Sequence, residues 1–412
     1  MAHTPLAADP GRSDGPGLSE PVVALVRALA GGGQRVWITG EALHRALVGT
    51  GGGRLELLTT APAASVVERL PRAVPIASAG RVFAVPTGAG PIDVIPSIDP
   101  EAGLQRWLAR CDFTIHAAAW DPERDHLHDP FGGREDWRDR RLRCPGSALD
   151  RLREAPARIF RALRCVSESA LSADAELRAA LPVAASSLRP LHALSARREL
   201  VAWLSLDDAA PGLALARESG LDETLTGGAR PDVAARWGAL TGAPERRVAL
   251  RLAIWLHGTR AAAFLRLLRM GEPVSSTVLR LIAQHPVEQG VHASSDASVG
   301  RLLRRLGPGE LEALLSWRRL ELADDPADVD GRSRLQALEA ALSRIEQGRA
   351  RERRRQALAI DGAAVMERLG CGPGPQVGAA LRALSDWVSD DPTRNTVAAL
   401  AERLDAWARE QG

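Results

Sequence analysis

Residues 36 to 60, VWITGEALHRALVGTGGGRLELLTT, constrain the fold more than any other stretch. A short apolar run, Val36-Trp37-Ile38, leads into Thr39-Gly40. Ala42 to Val48 then has helical character, Gly49 to Gly53 is a loop, and Leu55 to Leu58 is a second apolar run. The order is strand, tight turn, helix, loop, strand. A glycine at a strand-to-helix turn lets a backbone amide approach a phosphate, and the helix start adds its positive dipole end. Side chains on the second strand would then face the same anion.

Around this unit the sequence predicts a short helix from Val22 to Ala30 and another from Ala63 to Leu70. Strands are expected at Val74 to Ala77, Val82 to Val85 and Ile92 to Ile95. Mixed strands and helices up to about residue 145 indicate one α/β domain. Beyond Pro145-Gly146 the texture changes. Asp150 to Val166, Arg197 to Leu206, Arg246 to His257, Val278 to Ile282 and Leu311 to Leu322 carry apolar residues at helical spacing. Gly307-Pro308-Gly309 and Asp324 to Gly331 are expected loops, and Arg349 to Arg355 is a basic cluster.

Composition excludes some classes. A net charge of +2 means that any basic surface is local. The sequence has arginine throughout and no lysine, so every fixed cation is a planar fork suited to phosphate. Cys111, Cys144, Cys165 and Cys371 have no Cys-x-x-Cys spacing, and separate reduced thiols in a cytoplasmic protein are expected. The first 20 residues, rich in Pro, Gly and Asp, read as a disordered leader without the apolar core of a signal peptide. No apolar run approaches the roughly 20 residues of a membrane helix.

Several spellings together resemble the class II tRNA nucleotidyltransferases, the CCA-adding enzymes and their bacterial poly(A) polymerase relatives. Arg110-Cys-Asp112-Phe-Thr-Ile-His116-Ala agrees at six of eight positions with the family's Arg-Arg-Asp-Phe-Thr-Ile-Asn-Ala. Asp129-Pro-Phe-Gly-Gly133 matches a family turn, and Glu154-Ala-Pro-Ala-Arg158-Ile-Phe-Arg161-Ala-Leu-Arg164 matches Glu-Asp-Pro-x-Arg-x-x-Arg-Ala-x-Arg. Near the C-terminus Leu358-Ala-Ile-Asp-Gly362 and Gly370-Cys-Gly372-Pro-Gly374-Pro-Gln-Val-Gly378 resemble the family tail.

The resemblance implies an α/β nucleotidyltransferase-fold head with a mixed β-sheet, followed by an all-helical neck, body and tail. The expected bounds are 21–145 for the head, 146–210 for the neck, 211–300 for the body and 301–412 for an RNA-binding tail. Family activity adds CMP and AMP from CTP and ATP to a tRNA 3′ end with Mg²⁺. Gly40, Arg45, Arg110, Asp112, Arg158, Arg161 and Arg164 fall at nucleotide-binding positions, and Gly372, Gly374, Arg353 and Arg354 are candidates for RNA. The family's metal-holding Asp-x-Asp aligns with Arg54-Leu55-Glu56, and Asp93 lies on the neighbouring strand. A guanidinium cannot bind Mg²⁺, so Arg54 is expected to pair with Glu56 in a solvent-facing ion pair. Asp93 is read equally as a metal neighbour or as an edge-strand acid facing water. Ala155 replaces the aspartate that pairs with Arg158 to read bases. Two readings follow. One is a relative that binds nucleotide and RNA with metal-dependent transfer weak or lost, working with an active paralogue or as a homodimer. The other is an active transferase holding Mg²⁺ with Glu56 and Asp93.

Overall fold

The computed structural model describes residues 6–8, 16–47, 52–76, 82–88, 90–100, 102–227, 237 and 244–411; the side chains of 6–8, 244–246, 350–356 and 411 lie outside the description. Among these residues the chain forms two compact units, 1–285 with 319–324, and 286–318 with 325–412.

The N-terminal part begins with a ribbon of β1 (Leu6–Ala8) and β2 (Pro16–Leu18), paired antiparallel. This ribbon falls within the expected disordered leader, whose residues 1–5 and 9–15 lie outside the described residues. Leu18 packs on the head's core, so the end of this polar stretch is tied down by apolar burial. There follow α1 (Glu20–Ala30), β3 (Val36–Thr39), α2 (Glu41–Leu47), β4 (Glu56–Thr59), α3 (Ala63–Arg69), β5 (Val74–Pro75), β6 (Phe83–Thr87) and β7 (Gly90–Ile95). Then come α4 (Ala102–Leu108), β8 (Ala119–Asp121), β9 (His126–His128), α5 (Gly133–Arg138) and β10 (Arg141–Leu142). Seven strands form a mixed sheet in the order β5-β6-β7-β4-β3-β8-β9, parallel only between β4 and β7. The mixed sheet is the one the sequence implies.

Side chains alternate across the sheet with period two, so each strand serves two layers. Val36, Ile38, Leu57 and Val94 point into a core closed by Val22, Leu25 and Leu29 of α1, Leu43 of α2 and Val66 of α3. Trp37, Leu58 and Ile95 point the other way, against Leu104 and Leu108 of α4. Thr39, Glu56 and Asp93 share the parity of this second set. They are paired across β3, β4 and β7, Thr39 with Glu56 and Glu56 with Asp93. Three polar residues thus lie in a row at one end of the sheet, on the α4 face.

Two family-like spellings are coupled by packing. The backbone of Gly133 lies against Thr114, and a Cβ at Gly133 would come within 2.0 Å of the Thr114 carbonyl oxygen. The Asp129 carboxylate accepts from the amides of Gly133 and Arg134 at 2.8 and 2.9 Å, which starts α5.

The helical continuation is α6 (Ala148–Glu154), α7 (Ala157–Ser169), the short β11 (Ser172–Ala173), α8 (Ala175–Ala185), α9 (Ala193–Ser205), α10 (Ala210–Glu218), α11 (Leu221–Thr226), α12 (Pro244–Leu256), α13 (Ala261–Leu267) and α14 (Glu272–Gln284). The helical stretch from Asp150 to Val166 is two helices divided at Pro156, which has no amide to donate and before which Ala155 is extended (φ −145°, ψ 85°). Arg251 of α12, 0% exposed, is a structural pin. It donates to the carbonyls of Leu204 and Asp207 at 2.8 Å and of Trp237 at 3.0 Å. Burial and neighbouring Arg247 bring this guanidinium down to about 10.

The second unit contains most of α15 (Asp296–Asp324), with α16 (Val329–Gln356), α17 (Gly362–Leu369), α18 (Pro375–Asp390) and α19 (Val397–Gln411). The expected loop at Gly307-Pro308-Gly309 is only a kink. Gly307 takes φ 68° and the helix resumes at once, since proline fits a helical first turn. Val365, Ala380, Leu384, Leu400, Leu404 and Trp407 form the core of α17 to α19.

Candidate functional site

The end of the sheet forms the floor of the site. Asp93 is no edge acid: β7 lies between β6 and β4, and Asp93 is 5% exposed. Arg54, two residues before Glu56 and so on the same face, places Nε and Nη2 on Asp93 Oδ2. The expected Arg54–Glu56 pair facing water is therefore corrected. The parallel register carries Asp93 beside β4, and Arg54 takes this more buried carboxylate. Glu56 is partly buried and lines the pocket. Burial pushes its carboxyl upward against the pull of Arg54, and Asp93 adds to the rise.

The glycine turn is spent on the chain itself. Gly40 has φ 90°, and a Cβ there would lie 2.9 Å from the Arg54 carbonyl oxygen and 3.4 Å from Glu56 Cγ. The Ala42 amide donates to that Arg54 carbonyl at 3.0 Å. Glu41 adds its own negative charge to the first turn of α2 and accepts from Arg45 Nε at 3.1 Å. Arg45 also reaches Glu168 at 3.4 Å.

Pro156 begins a helical turn whose spacing brings Arg158, Arg161 and Arg164 of α7 toward one side. Arg161 donates to Asp112 Oδ2 at 2.7 Å and to Glu199 Oε1 from Nε and Nη2 at 3.1 and 2.6 Å. Arg164 donates to Glu199 Oε2 at 3.1 Å and to Glu168 at 2.7 Å, and lies 3.5 Å from Glu41. Arg158 instead spends Nη1 and Nη2 on the carbonyls of Arg151 and Arg110, at 2.7 and 2.6 Å. Its nearest acid is Glu154 at 3.6 Å. Arg110 is exposed at the end of α4.

Asp112, 6% exposed, is the hub of this network. Besides Arg161 it holds His116 Nδ1 at 2.9 Å and accepts the Phe113 amide at 2.7 Å. Burial alone would raise its carboxyl, but His116 and Arg161 override this and hold it far below the usual range. Burial opposes the charge on Arg161 and Arg164 also; adjacent acids outweigh it and raise both. His44 packs on the rings of Trp137 and His116 at 4.4 and 5.6 Å. Burial, with His116 and Arg45 nearby, lowers this imidazole to about 3.

Gly40, Glu41, Asp112, His116, Arg161 and Arg164 border a cavity of about 620 Å³. Arg54 and Glu56 lie on the sheet side, Arg110 and Arg158 on the helical side, and Trp107 of α4 also lines it. Trp107 and Glu199 were not singled out in the sequence. Leu104 and Leu108 at i, i+4 mark the apolar side of α4, with Trp107 beside them. Glu199 interrupts the stripe Ala196, Leu200, Trp203 of α9, and a carboxylate on an apolar stripe signals a buried cation partner.

The donor set does not fit a resident divalent ion. Mg²⁺ takes anionic oxygens in a near-octahedral shell. Here a guanidinium covers Asp93, and burial favours the neutral form of Glu56. Among the described residues no group of three His, Cys, Asp or Glu side chains is placed to hold a metal.

The candidates for RNA contact lie in the second unit. Gly370 ends α17 at φ 60°, and Gly372 and Gly374 form the turn into α18, with open space where a Cβ would stand. Arg353 and Arg354 lie near the end of α16, with side chains outside the described residues. No described helix is long and apolar enough to cross a membrane.

No protein-family model matches the chain. The CCA-adding enzyme of Geobacillus thermodenitrificans (strain NG80-2) is 27% identical to it over 415 residues, 95% of this chain and 97% of that one. The A-adding tRNA nucleotidyltransferase of Deinococcus radiodurans is 28% identical over 334 residues, 69% of this chain and 75% of the relative. Among solved structures, the Bacillus stearothermophilus CCA-adding enzyme in complex with CTP has a TM-score of 0.59 at 24% identity, covering 96% of this chain and 99% of that one. The chain is thus similar along most of its length to CCA-adding enzymes and their tRNA nucleotidyltransferase relatives, and it has the fold of a CCA-adding enzyme.

Proposed function

We propose that this protein binds a nucleoside triphosphate in its head and tRNA, or another RNA, through its tail, and that metal-dependent nucleotidyl transfer is weak or lost. The observation that carries the second half is the Arg54 guanidinium seated on Asp93, where a divalent ion needs the carboxylate. The first half rests on the similarity to CCA-adding enzymes along most of the chain and on the arginine-lined cavity. Arg110 and Arg158 are assigned to the phosphates. Arg161, Arg164 and Asp112 are assigned to the shape of the nucleotide site. Ala155 beside Arg158 leaves one of the two expected base-reading groups missing, so discrimination between CTP and ATP is relaxed. Residues 21–145 form the head in this reading, 146–210 the neck, 211–300 the body and 301–412 the tail, where Gly372, Gly374, Arg353 and Arg354 meet RNA. The protein acts in the cytoplasm, with an active paralogue or as a homodimer.

The test is incorporation of labelled CTP and ATP into tRNA lacking its CCA end, with Mg²⁺ or Mn²⁺, resolved on a gel. The expected result is no ladder from folded protein that still binds CTP. The second reading, an active transferase, draws on one observation, the cross-strand register that sets Glu56 beside Asp93. A ladder abolished by Asp93→Asn would establish it and overturn the first.

A further inference from the structure

We propose that Arg54 is a built-in counter-cation for a nucleoside triphosphate, so that the pocket takes the metal-free form of the ligand, with Asp93 as the group that holds Arg54 until the phosphate arrives. This deepens the binding half of the proposed function and rests on it.

Three features support the assignment. Arg54 is anchored at one end and open at the other: its side chain is 54% exposed, Asp93 engages Nε and Nη2, and Nη1 has no hydrogen-bond partner among the described residues. A guanidinium has five N–H donors, so a phosphate can share it with Asp93 or replace Asp93 on it.

The second feature is the uneven neutralisation of the pocket's arginines. Arg161 and Arg164 are matched by Asp112, Glu199, Glu168 and Glu41. Arg158 is held mainly by backbone carbonyls, which fix its geometry without cancelling its charge, and Arg110 has no ion pair among the described residues. Arg110 therefore faces a ligand without an acid partner among the described residues, Arg158 is offset only by Glu154 at 3.6 Å, and Arg54, though paired with Asp93, keeps Nη1 open toward the pocket. This arrangement suits a polyphosphate that brings no Mg²⁺ of its own. A metal-bound triphosphate has part of its charge already neutralised, and its ion would be repelled by Arg54.

The third feature is Trp107, whose ring gives the pocket an aromatic surface for a base. A nucleoside triphosphate thus fits better than an inorganic polyphosphate.

The experiment is calorimetric titration of the full-length protein with CTP, in EDTA and in excess Mg²⁺. Inorganic tripolyphosphate is titrated in parallel, and Arg54→Gln and Asp93→Asn are compared with the unsubstituted protein. Binding in EDTA is expected to be at least as tight as in Mg²⁺ and tighter for CTP than for tripolyphosphate. Arg54→Gln should weaken it tenfold or more. Asp93→Asn, which releases Arg54, should tighten it about threefold. Arg54 is half exposed, so the Gln variant tests the idea even where Asp93→Asn does not fold. A requirement for Mg²⁺, or binding in EDTA that ignores Arg54→Gln, overturns the inference alone. Failure to bind CTP in either buffer overturns the proposed nucleotide binding with it.

Discussion

Glu199→Gln should destabilise the protein and tighten its grip on metal-free CTP. The Glu199 carboxylate is buried and accepts three hydrogen bonds from two guanidiniums, Arg161 at 2.6 and 3.1 Å and Arg164 at 3.1 Å. A glutamine keeps one oxygen as acceptor but turns an NH₂ donor toward a second donor, and the negative charge is gone. Charged hydrogen bonds contribute about 1.5–3 kcal/mol each, and breaking a buried pair costs about 3–5, so a loss of ~3 kcal/mol follows. At about 2.1 cal/mol/K of unfolding entropy per residue, a unit of this size loses roughly 1.6 °C per kcal/mol, which lowers Tm by about 5 °C. The freed positive charge acts on the ligand. A unit charge roughly 8 Å from a phosphate contributes ~2 kcal/mol at an effective dielectric of 20, and about half that in salt, or about fivefold in Kd. Differential scanning fluorimetry and CTP titration in EDTA on the same preparation read both effects. If Tm and affinity fall together, Glu199 holds Arg161 in a pose the ligand needs, and the view of it as a neutraliser is wrong.

Arg251→Met should cost about 3–5 kcal/mol, because it strips the carbonyls of Leu204, Asp207 and Trp237 of their shared donor inside the helical layer; a urea midpoint unchanged from the parent would contradict this. Gly133→Ala should leave little soluble protein, since its methyl would occupy the position of the Thr114 carbonyl. A soluble variant with the parent's Tm would mean that the turn relaxes freely. His44 is neutral when folded down to about pH 3 but titrates near 6.5 when unfolded. The unfolded state thus binds the extra proton, and His44 reduces stability as pH falls from 6.5 toward 3, by up to ~1.4 kcal/mol per unit. Urea midpoints at pH 7.5 and 5 should fall less for His44→Gln than for the parent. Equal falls would remove His44 from the account.

The elements with strong local signals were legible. Val36–Thr39, Glu56–Thr59 and Gly90–Ile95 are the expected strands, the first and last extended by one and two residues where pairing continues beyond the apolar run and the second shifted by one. The arginine periodicity of α7 was readable because spacing in a helix fixes which residues share a side. What the arginines touch was not. Glu199 lies 38 residues from Arg161 and 35 from Arg164, and only the packing of α9 on α7 unites them. Arg54 was assigned to Glu56 because sequence reading favours near neighbours; the parallel β4–β7 pairing that offers Asp93 is a long-range choice. The glycine turn was recognised, but the Ala42 amide satisfies the Arg54 carbonyl, a bond made only when the loop closes. Pro156 and Gly307 acted within helical stretches, where proline at a first turn continues a helix as readily as it ends one.

The shared face of residues 54, 56 and 93 ties the residue at position 54 to the charge balance of the sheet end. Replacing Arg54 with aspartate changes the sheet end by two charge units and leaves three carboxylates together on β4 and β7 with no cation among them. Like charges facing one another across strands repel, and burial worsens the repulsion. Such a sheet end would relieve its repulsion by taking up a proton or an ion from solution, whereas the arginine form carries its counter-charge within the chain. A carboxylate at position 54 would thus tie the charge balance of this sheet end to pH and metal concentration, and Arg54 supplies the same neutralisation from the chain just before β4.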